Sequence, residues 1–217
     1  MNPDLTIDNL VAEAAHFAAA ESSHDEPKLF GVDNGKTVGT YLEHKFLLHL
    51  MSKYSFVGGN SASGIDIPSI NVDIKVTSIK QPQSSSPFKD ARQKIYGLGY
   101  NLIVFVYEKA DDPIFKTGRL NMRHTIFIEK GRTGDYQMTR GLREILDRDG
   151  NAEDLIAFML DKNLRIDDIE ANKIAEQLLR EKPEQGYMTI SNAYQWRLQY
   201  NRVIQKAGEV PGITRIT

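Results

Sequence analysis

The sequence predicts a mixed α/β core, with a central mixed sheet flanked by helices, plus a C-terminal helical region. Three observations carry this. Residues 101–107 (NLIVFVY) are a continuous apolar run, the pattern of a strand covered on both faces. Before and after it, patterns alternate in the order helix, three strands, helix, strand, strand. From about residue 137 to 207, apolar positions recur at helical spacing.

Each element has its own signal. Residues 6–20 read as an amphipathic helix with Thr6 or Asp8 as N-cap. Residues 21–36 are polar and broken by Pro27, Gly31 and Gly35, which marks a loop. Residues 37–53 read as a second helix with Leu42, Phe46 and Leu50 on its apolar stripe. A short strand at 54–57 leads into the turn or mobile loop 58–64. Two strands are expected at 64–67 and 71–79, separated by Pro68 and Ser69. The Ser-, Gln- and Pro-rich segment 81–87 reads as a connection, and Ser86-Pro87 as the start of a helix that stops at Gly97 and Gly99. Strands at 101–107 and 124–129 follow. A soft boundary near residue 135 separates a core with its N-terminal helix, 1–135, from the helical region 136–217.

Composition excludes several classes. The net charge of -2 rules out a polycation, so any contact with nucleic acid requires positive charge gathered locally. With no cysteine there is no disulfide, zinc-thiolate site or cysteine nucleophile. No stretch approaches the roughly 18 apolar residues of a membrane span. The N-terminus lacks a basic leader, and a cytoplasmic protein without membrane contact is expected. Gly31 and Gly35-Lys36-Thr37 are spaced one residue too close for a phosphate-cradling loop, and no apolar strand precedes them. No nucleotide cofactor is expected. There is no H-E-x-x-H and no G-x-S-x-G.

The chemically informative segment is Gly64-Ile65-Asp66-Ile67-Pro68, followed by Asp73-Ile74-Lys75. On a strand, Val72, Ile74 and Val76 share one face while Asp73, Lys75 and Thr77 share the other. That places a carboxylate and an ammonium roughly 6–7 Å apart along the strand. If the chain doubles back at Pro68, Asp66 comes alongside Asp73. Two such carboxylates oppose each other's ionisation, and a divalent cation relieves them. Oxygen ligands with open water positions suit magnesium, and the lysine can orient or help deprotonate a water. These parts suit hydrolysis of a phosphodiester. The simpler alternative is an exposed edge strand with a surface ion pair.

On Asp66, Asp73 and Lys75 the chain resembles the PD-(D/E)XK nuclease superfamily, and within it the type II restriction endonucleases. Pro follows the first Asp here, as Pro68, instead of preceding it. The resemblance spans roughly residues 37–107. It implies magnesium-dependent, site-specific cleavage of double-stranded DNA leaving a 5′-phosphate. It also implies a backbone carbonyl ligand, here that of Ile74. Glu43 matches an acidic residue on the family's first core helix. A carboxylate on that largely apolar face is costly unless liganded or paired, and His44 or Lys45 could equally pair with it. Gln93 matches a position that orders the site or touches phosphate, beside Lys89, Arg92 and Lys94; an exposed polar face is the alternative. Thr77 and Ser78 are possible accessory residues.

Residues 192–207 show two helical stripes. Ala193, Trp196, Tyr200, Val203 and Ala207 form a buried face. Gln195, Gln199, Arg202 and Lys206, flanked by Arg197 and Asn201, present side chains able to pair with base edges. Residues 186–217 carry +3 (four basic residues, one acidic), against -4 for 151–185 (five basic, nine acidic). Lys89 and Arg92 are further DNA-contact candidates. A two-fold homodimer matching a palindromic site is expected. The rivals are a same-fold nuclease for junction resolution or repair, and a non-catalytic DNA-binding module of this fold.

Overall fold

In the computed structural model, the described residues are 2–59, 64–87, 90–192 and 195–217, without the side chains of Pro87 and Gln195. They group into two units. The first comprises Met1–Ser84, Tyr100–Ile128 and Lys206–Thr217, the second Ser85–Gly99 and Glu129–Gln205.

The first unit opens with α1 (Ile7–Ser22), whose N-cap Thr6 accepts the Asn9 N–H at 3.2 Å. The polar stretch after it is not all loop: it holds the two-residue strand β1 (Asp25–Glu26) and a 3₁₀ turn, Pro27–Leu29. Helix α2 spans Gly35–Met51, with Asn34 as N-cap. Its stripe Leu42, Phe46 and Leu50 is fully buried. Residues 54–57 do not form a strand. Ser55 instead bridges Asp4, tethering the N-terminal segment through Leu5 N–H to Ser55 O and Ser55 N–H to Pro3 O.

Strand β2 is Val72–Ser78, β4 is Asn101–Asp112 and β5 is Thr117–Ile128. The central strand β4 runs parallel to β2, with Asp73 opposite Leu102 and Lys75 opposite Val104, and antiparallel to β5. Strand β1 and the C-terminal β8 (Ile213–Arg215) both pair with β5. The apolar run extends as β4 demands: Leu102, Ile103, Val104, Phe105 and Val106 are all fully buried. Helices α1 and α2 cover one sheet face. There Phe46 sits with its ring centroid 5.0 Å from both Phe17 and Phe105. This is the mixed sheet with flanking helices of a restriction-endonuclease-like core.

The second unit is built on α4 (Tyr136–Leu146), α5 (Ala152–Asp161) and α6 (Asp168–Arg180). Met138, Leu142, Leu155, Met159, Ile174 and Leu178 fill its core. The expected long helix before Gly97 is one turn, α3 (Gln93–Tyr96), with Phe88 and Lys89 outside the described residues. Gly97 ends it at φ 85°, where a Cβ would stand 2.4 Å from the Lys130 carbonyl oxygen. Two further expectations are overturned. The segment 81–87 contains a strand, β3 (Gln83–Pro87), and the helix expected over 192–207 is a strand followed by a short helix. Strand β3 lies beside β7 (Gln195–Gln199), which pairs with β6 (Thr189–Ile190), and α7 covers only Asn201–Lys206. The reason is a shared periodicity: Trp196 and Tyr200 satisfy helical spacing and alternation equally. Leu198, fully buried between them, satisfies only alternation. Among the described residues no helix is long and apolar enough to cross a membrane.

One ion-pair network ties α1 to α2. Buried Glu13 meets Lys53 Nζ and His49 Nε2, each at 2.7 Å, and accepts from Tyr54 OH at 3.2 Å. Burial works against this carboxylate, but its three donors overcome it and hold Glu13 down at about 2, from an ordinary 4.5. A depressed folded value means the stabilisation is complete above about 4.5 and is lost as pH falls towards 2. Glu13→Gln should therefore lower urea resistance at pH 7 and narrow the difference between pH 7 and pH 3, measured by equilibrium unfolding.

Candidate active site

The chain doubles back at Pro68 through local geometry. A 3₁₀ turn, Pro68–Ile70, is closed by Asn71 in the left-handed conformation at φ 55°. Ile67 and Val72 then exchange backbone hydrogen bonds at 2.9 and 3.2 Å. The expected strand 64–67 is reduced to this single bridge, because the turn follows at once. Asp66 is thereby laid against β2, where its Oδ2 accepts the Ile74 N–H at 2.7 Å. From the other side Gly59 N–H donates to Asp66 O at 2.7 Å. A Cβ at Gly59 would stand 1.9 Å from the Ile65 carbonyl oxygen, so only glycine permits this approach. Sequence reading missed Gly59 as a positioning residue; the Gly58-Gly59 pair was its one signal. Residues 60–63 of that loop lie outside the described residues.

Around Asp66 three ionisable groups converge: Asp73, Lys75 and Glu43. Asp73 is buried, 3% exposed, and its Oδ2 lies 2.6 Å from Lys75 Nζ. Asp66 shares side-chain hydrogen bonds with both Asp73 and Glu43. Glu43 reaches inward from α2, while its neighbour Lys45 pairs elsewhere, with Glu21 at 2.7 Å. Burial is the largest cause raising the Glu43 carboxyl, the Asp66 charge adds to it, and Lys75 opposes both; the result is about 7. For Asp73, burial again raises the carboxyl, Lys75 counters, Asp66 raises it further, and it too reaches about 7.

This donor set fits a divalent cation chemically. Three carboxyl groups crowd one half-buried place, and burial, with the Asp66 charge added, leaves two of them holding protons near neutrality despite Lys75. Among the described residues no three carboxylates or imidazoles stand as a finished coordination cage. Asp73 is turned to Lys75 and Asp66 to the Ile74 N–H.

Several other candidates are engaged in structure. Thr77 Oγ1 donates to Gln81 O and Gln83 O and accepts the Gln83 N–H, so it shapes the turn after β2. Ser78 Oγ accepts the Lys80 N–H in the same turn. In the second unit, Gln93 Nε2 donates to Leu98 O at 2.9 Å, stapling the chain past Gly97. Arg92 Nε pairs with Glu170 at 2.5 Å. Lys89 lies outside the described residues. Arg202 stacks on the Tyr136 ring at 3.7 Å, and Lys206 pairs with Glu209 at 2.9 Å. Exposed Arg197 donates to Ser85 Oγ at 2.7 Å, joining β7 to β3. Gln199 pairs with Thr189, and Asn201 is exposed at the start of α7. Gln195 is placed only by its backbone.

A sheet of this topology with an Asp, an Asp-x-Lys and a helix-borne Glu at one place is the arrangement that the resemblance to restriction-class nucleases leads one to expect. The family description "Type II restriction enzyme NspV" matches residues 4–215. The chain is also 60% identical, over 98% of its length and 96% of the relative's, to "Type II restriction enzyme NspV" of Nostoc sp. (strain ATCC 29411 / PCC 7524). No solved structure matches the chain. The chain belongs to the NspV family of type II restriction enzymes, and is thus a site-specific deoxyribonuclease of a restriction system. Enzymes of this class use divalent metal ions.

The electrostatics make a stability prediction. Asp73 ordinarily titrates at 3.8 and here at about 7, so its raised value favours folding below 3.8 and weakens it as pH rises through 7. In metal-free buffer, Asp73→Asn should melt higher than the parent at pH 8, by roughly 2–4 °C per kcal/mol relieved, with a smaller gain at pH 5. Calorimetric melting at both pH values checks this.

Proposed function

We propose that the enzyme cleaves double-stranded DNA in a magnesium-dependent reaction centred on Asp66, Asp73, Lys75 and Glu43. The observation that carries this is the convergence of the four side chains at the Pro68 turn, two of the carboxyls being held at about 7. Asp66, Asp73 and the Ile74 carbonyl would hold the ion, with Glu43 completing the acidic rim. When bound, magnesium lowers the pKa of a water and offsets charge building on a phosphoryl oxygen.

The chain's own part is positional. Lys75, on the same strand face as Asp73, orients the attacking water by donating a hydrogen bond from its ammonium, and the water's proton passes to the surrounding solvent. The water oxygen bonds to phosphorus, the bond to the 3′ oxygen breaks, and that oxygen takes up a proton from a solvent water, balancing the one the attacking water lost. The phosphate stays on the 5′ side, as the resemblance implies. Asp73 restrains Lys75 at 2.6 Å, which keeps the ammonium at the reacting centre instead of in solvent.

Base contact falls to the polar face of β7 and its neighbours, not to a helix. Arg197 and Gln199 alternate with buried Trp196, Leu198 and Tyr200. A β-ribbon fits the major groove as a helix does, and Arg pairs bidentately with guanine. Asn201 extends that polar surface, and Gln195 shares the strand parity of Arg197. The working form is a homodimer on a two-fold symmetric site, acting on DNA in the cytoplasm; sedimentation at assay concentrations would find a dimer.

Incubation of phage-length DNA with magnesium, followed by sequencing of fragment ends, should give discrete fragments with one end sequence and 5′-phosphates. A ladder without common ends, or no cleavage with any divalent ion, refutes the reading. Lys75→Ala should lose about 10²–10⁴ in cleavage rate while duplex retention in a gel shift persists. Arg197→Ala should lose about 1–3 kcal/mol of discrimination, seen as new cut positions in the sequenced ends.

A further inference from the structure

The second unit buries a lysine that the catalytic chemistry does not use. Lys94, on α3, is 5% exposed. Its Nζ donates to Asn192 Oδ1 and lies 5.8 Å from the centroid of the Trp196 ring. Both are neutral. The same side chain lines a small cavity with Asn163, Arg165, Asn192 and Trp196 over an apolar floor of Ala91 and Leu164. No carboxylate is among these lining residues. Asp135 is the acid whose charge acts on Lys94, but its two oxygens already accept the Met138 and Ile190 N–H groups.

Burying an ammonium without a paired anion is costly. Here the cost is increased by a second cation, Arg165, whose charge opposes that of Lys94 across the cavity. The surroundings look built to hold this arrangement in place. Asn192 is fixed at both ends, accepting from Lys94 and donating Nδ2 to Lys162 O at 3.3 Å. Trp196 is fully packed, 2% exposed, so the wall cannot give way to solvate the charge. Asn163, with its backbone in the left-handed conformation at φ 53°, turns the chain so that Arg165 reaches the rim. Two cations and a neutral amide around one cavity, with no acid in its lining, are the recognition chemistry of an oxyanion.

We infer that Lys94, Arg165 and Asn192 form a phosphate subsite for the DNA backbone: the cavity, about 10 Å³, has room for one oxygen-sized group, so one non-bridging oxygen of a phosphodiester enters it while exposed Arg165 and Asn192 meet the rest of the group outside. The inference rests on the DNA-cleaving reading for its ligand but not for its geometry. Such a contact positions the duplex and carries no sequence information.

The test uses the full-length enzyme in EDTA, so that nothing is cut, and a short labelled random-sequence duplex titrated across a range of potassium chloride. Each lost phosphate contact flattens the plot of log affinity against log salt by about 0.9. Arg165→Ala, at an exposed position, and Lys94→Met should each flatten it by up to that amount, since both act on one phosphate, and weaken cognate and scrambled duplexes equally. A parallel arm melts the free protein in sodium phosphate against chloride at matched ionic strength. Protection by phosphate in the parent, absent from Arg165→Ala, supports the oxyanion site by itself. If the parent binds no duplex yet phosphate protects it, the DNA reading fails and the anion site stands, with a free phosphate as its ligand. Unchanged salt slope and unchanged phosphate response in Arg165→Ala overturn the proposal, whether or not Lys94→Met folds.

Discussion

Asp66 Oδ2 accepts the Ile74 N–H at 2.7 Å, and that bond lays the first acid against the strand that carries the second. Asp66 lies in a loop and Ile74 in the middle of a buried strand. A hydrogen bond to a charged acceptor contributes roughly 1.5–3 kcal/mol, and here it works against the repulsion of the neighbouring acids. The Pro68 turn sets the reach, the Ile67–Val72 bridge sets the register, and Gly59 lets the returning loop close over it. Those contacts place the Asp66 backbone; the bond to Ile74 fixes its side chain.

The anchor sustains a conflict. Asp73 is buried on a strand whose other face packs Val72 and Ile74 into the hydrophobic core, so it cannot swing to water. Glu43 is held on α2 by Leu42 and Phe46, both fully buried. Lys75 offsets the accumulated negative charge in part, and protons held at about 7 on Glu43 and Asp73 offset more. The cluster works against stability, as expected where a fold keeps acids together for a ligand. The Glu13 network, by contrast, matches its carboxylate with three donors and only stabilises.

Legibility in the sequence followed the strength of local pattern. Helices α1 and α2, strand β2 and the central strand were readable because their apolar spacing matched one period only. The proximity of Asp66 to Asp73 was readable because Pro68 falls between them. Three things were not. Strand β3 is made of Gln and Ser with no apolar alternation, and it exists because β7 offers a ladder. Residues 192–207 read as a helix because Trp196 and Tyr200 are four apart; Leu198 was the dissenting residue. The lysine cavity was illegible because Lys94 and Arg165 are distant in sequence, and only tertiary packing brings their charges to one place. The polar residues Arg197 and Gln199 were correctly grouped as a surface, though on the wrong element.

The central claim is that Glu43, Asp66 and Asp73 act jointly on one hard cation. Calorimetric titration of the metal-free enzyme with manganese, a spectroscopically convenient substitute for magnesium, tests it without any DNA. The account predicts uptake by the parent, and at least tenfold weaker uptake in Asp66→Asn and in Asp73→Asn, with Glu43→Gln between them and the parent. Equal uptake by the parent and the two aspartate variants would contradict it.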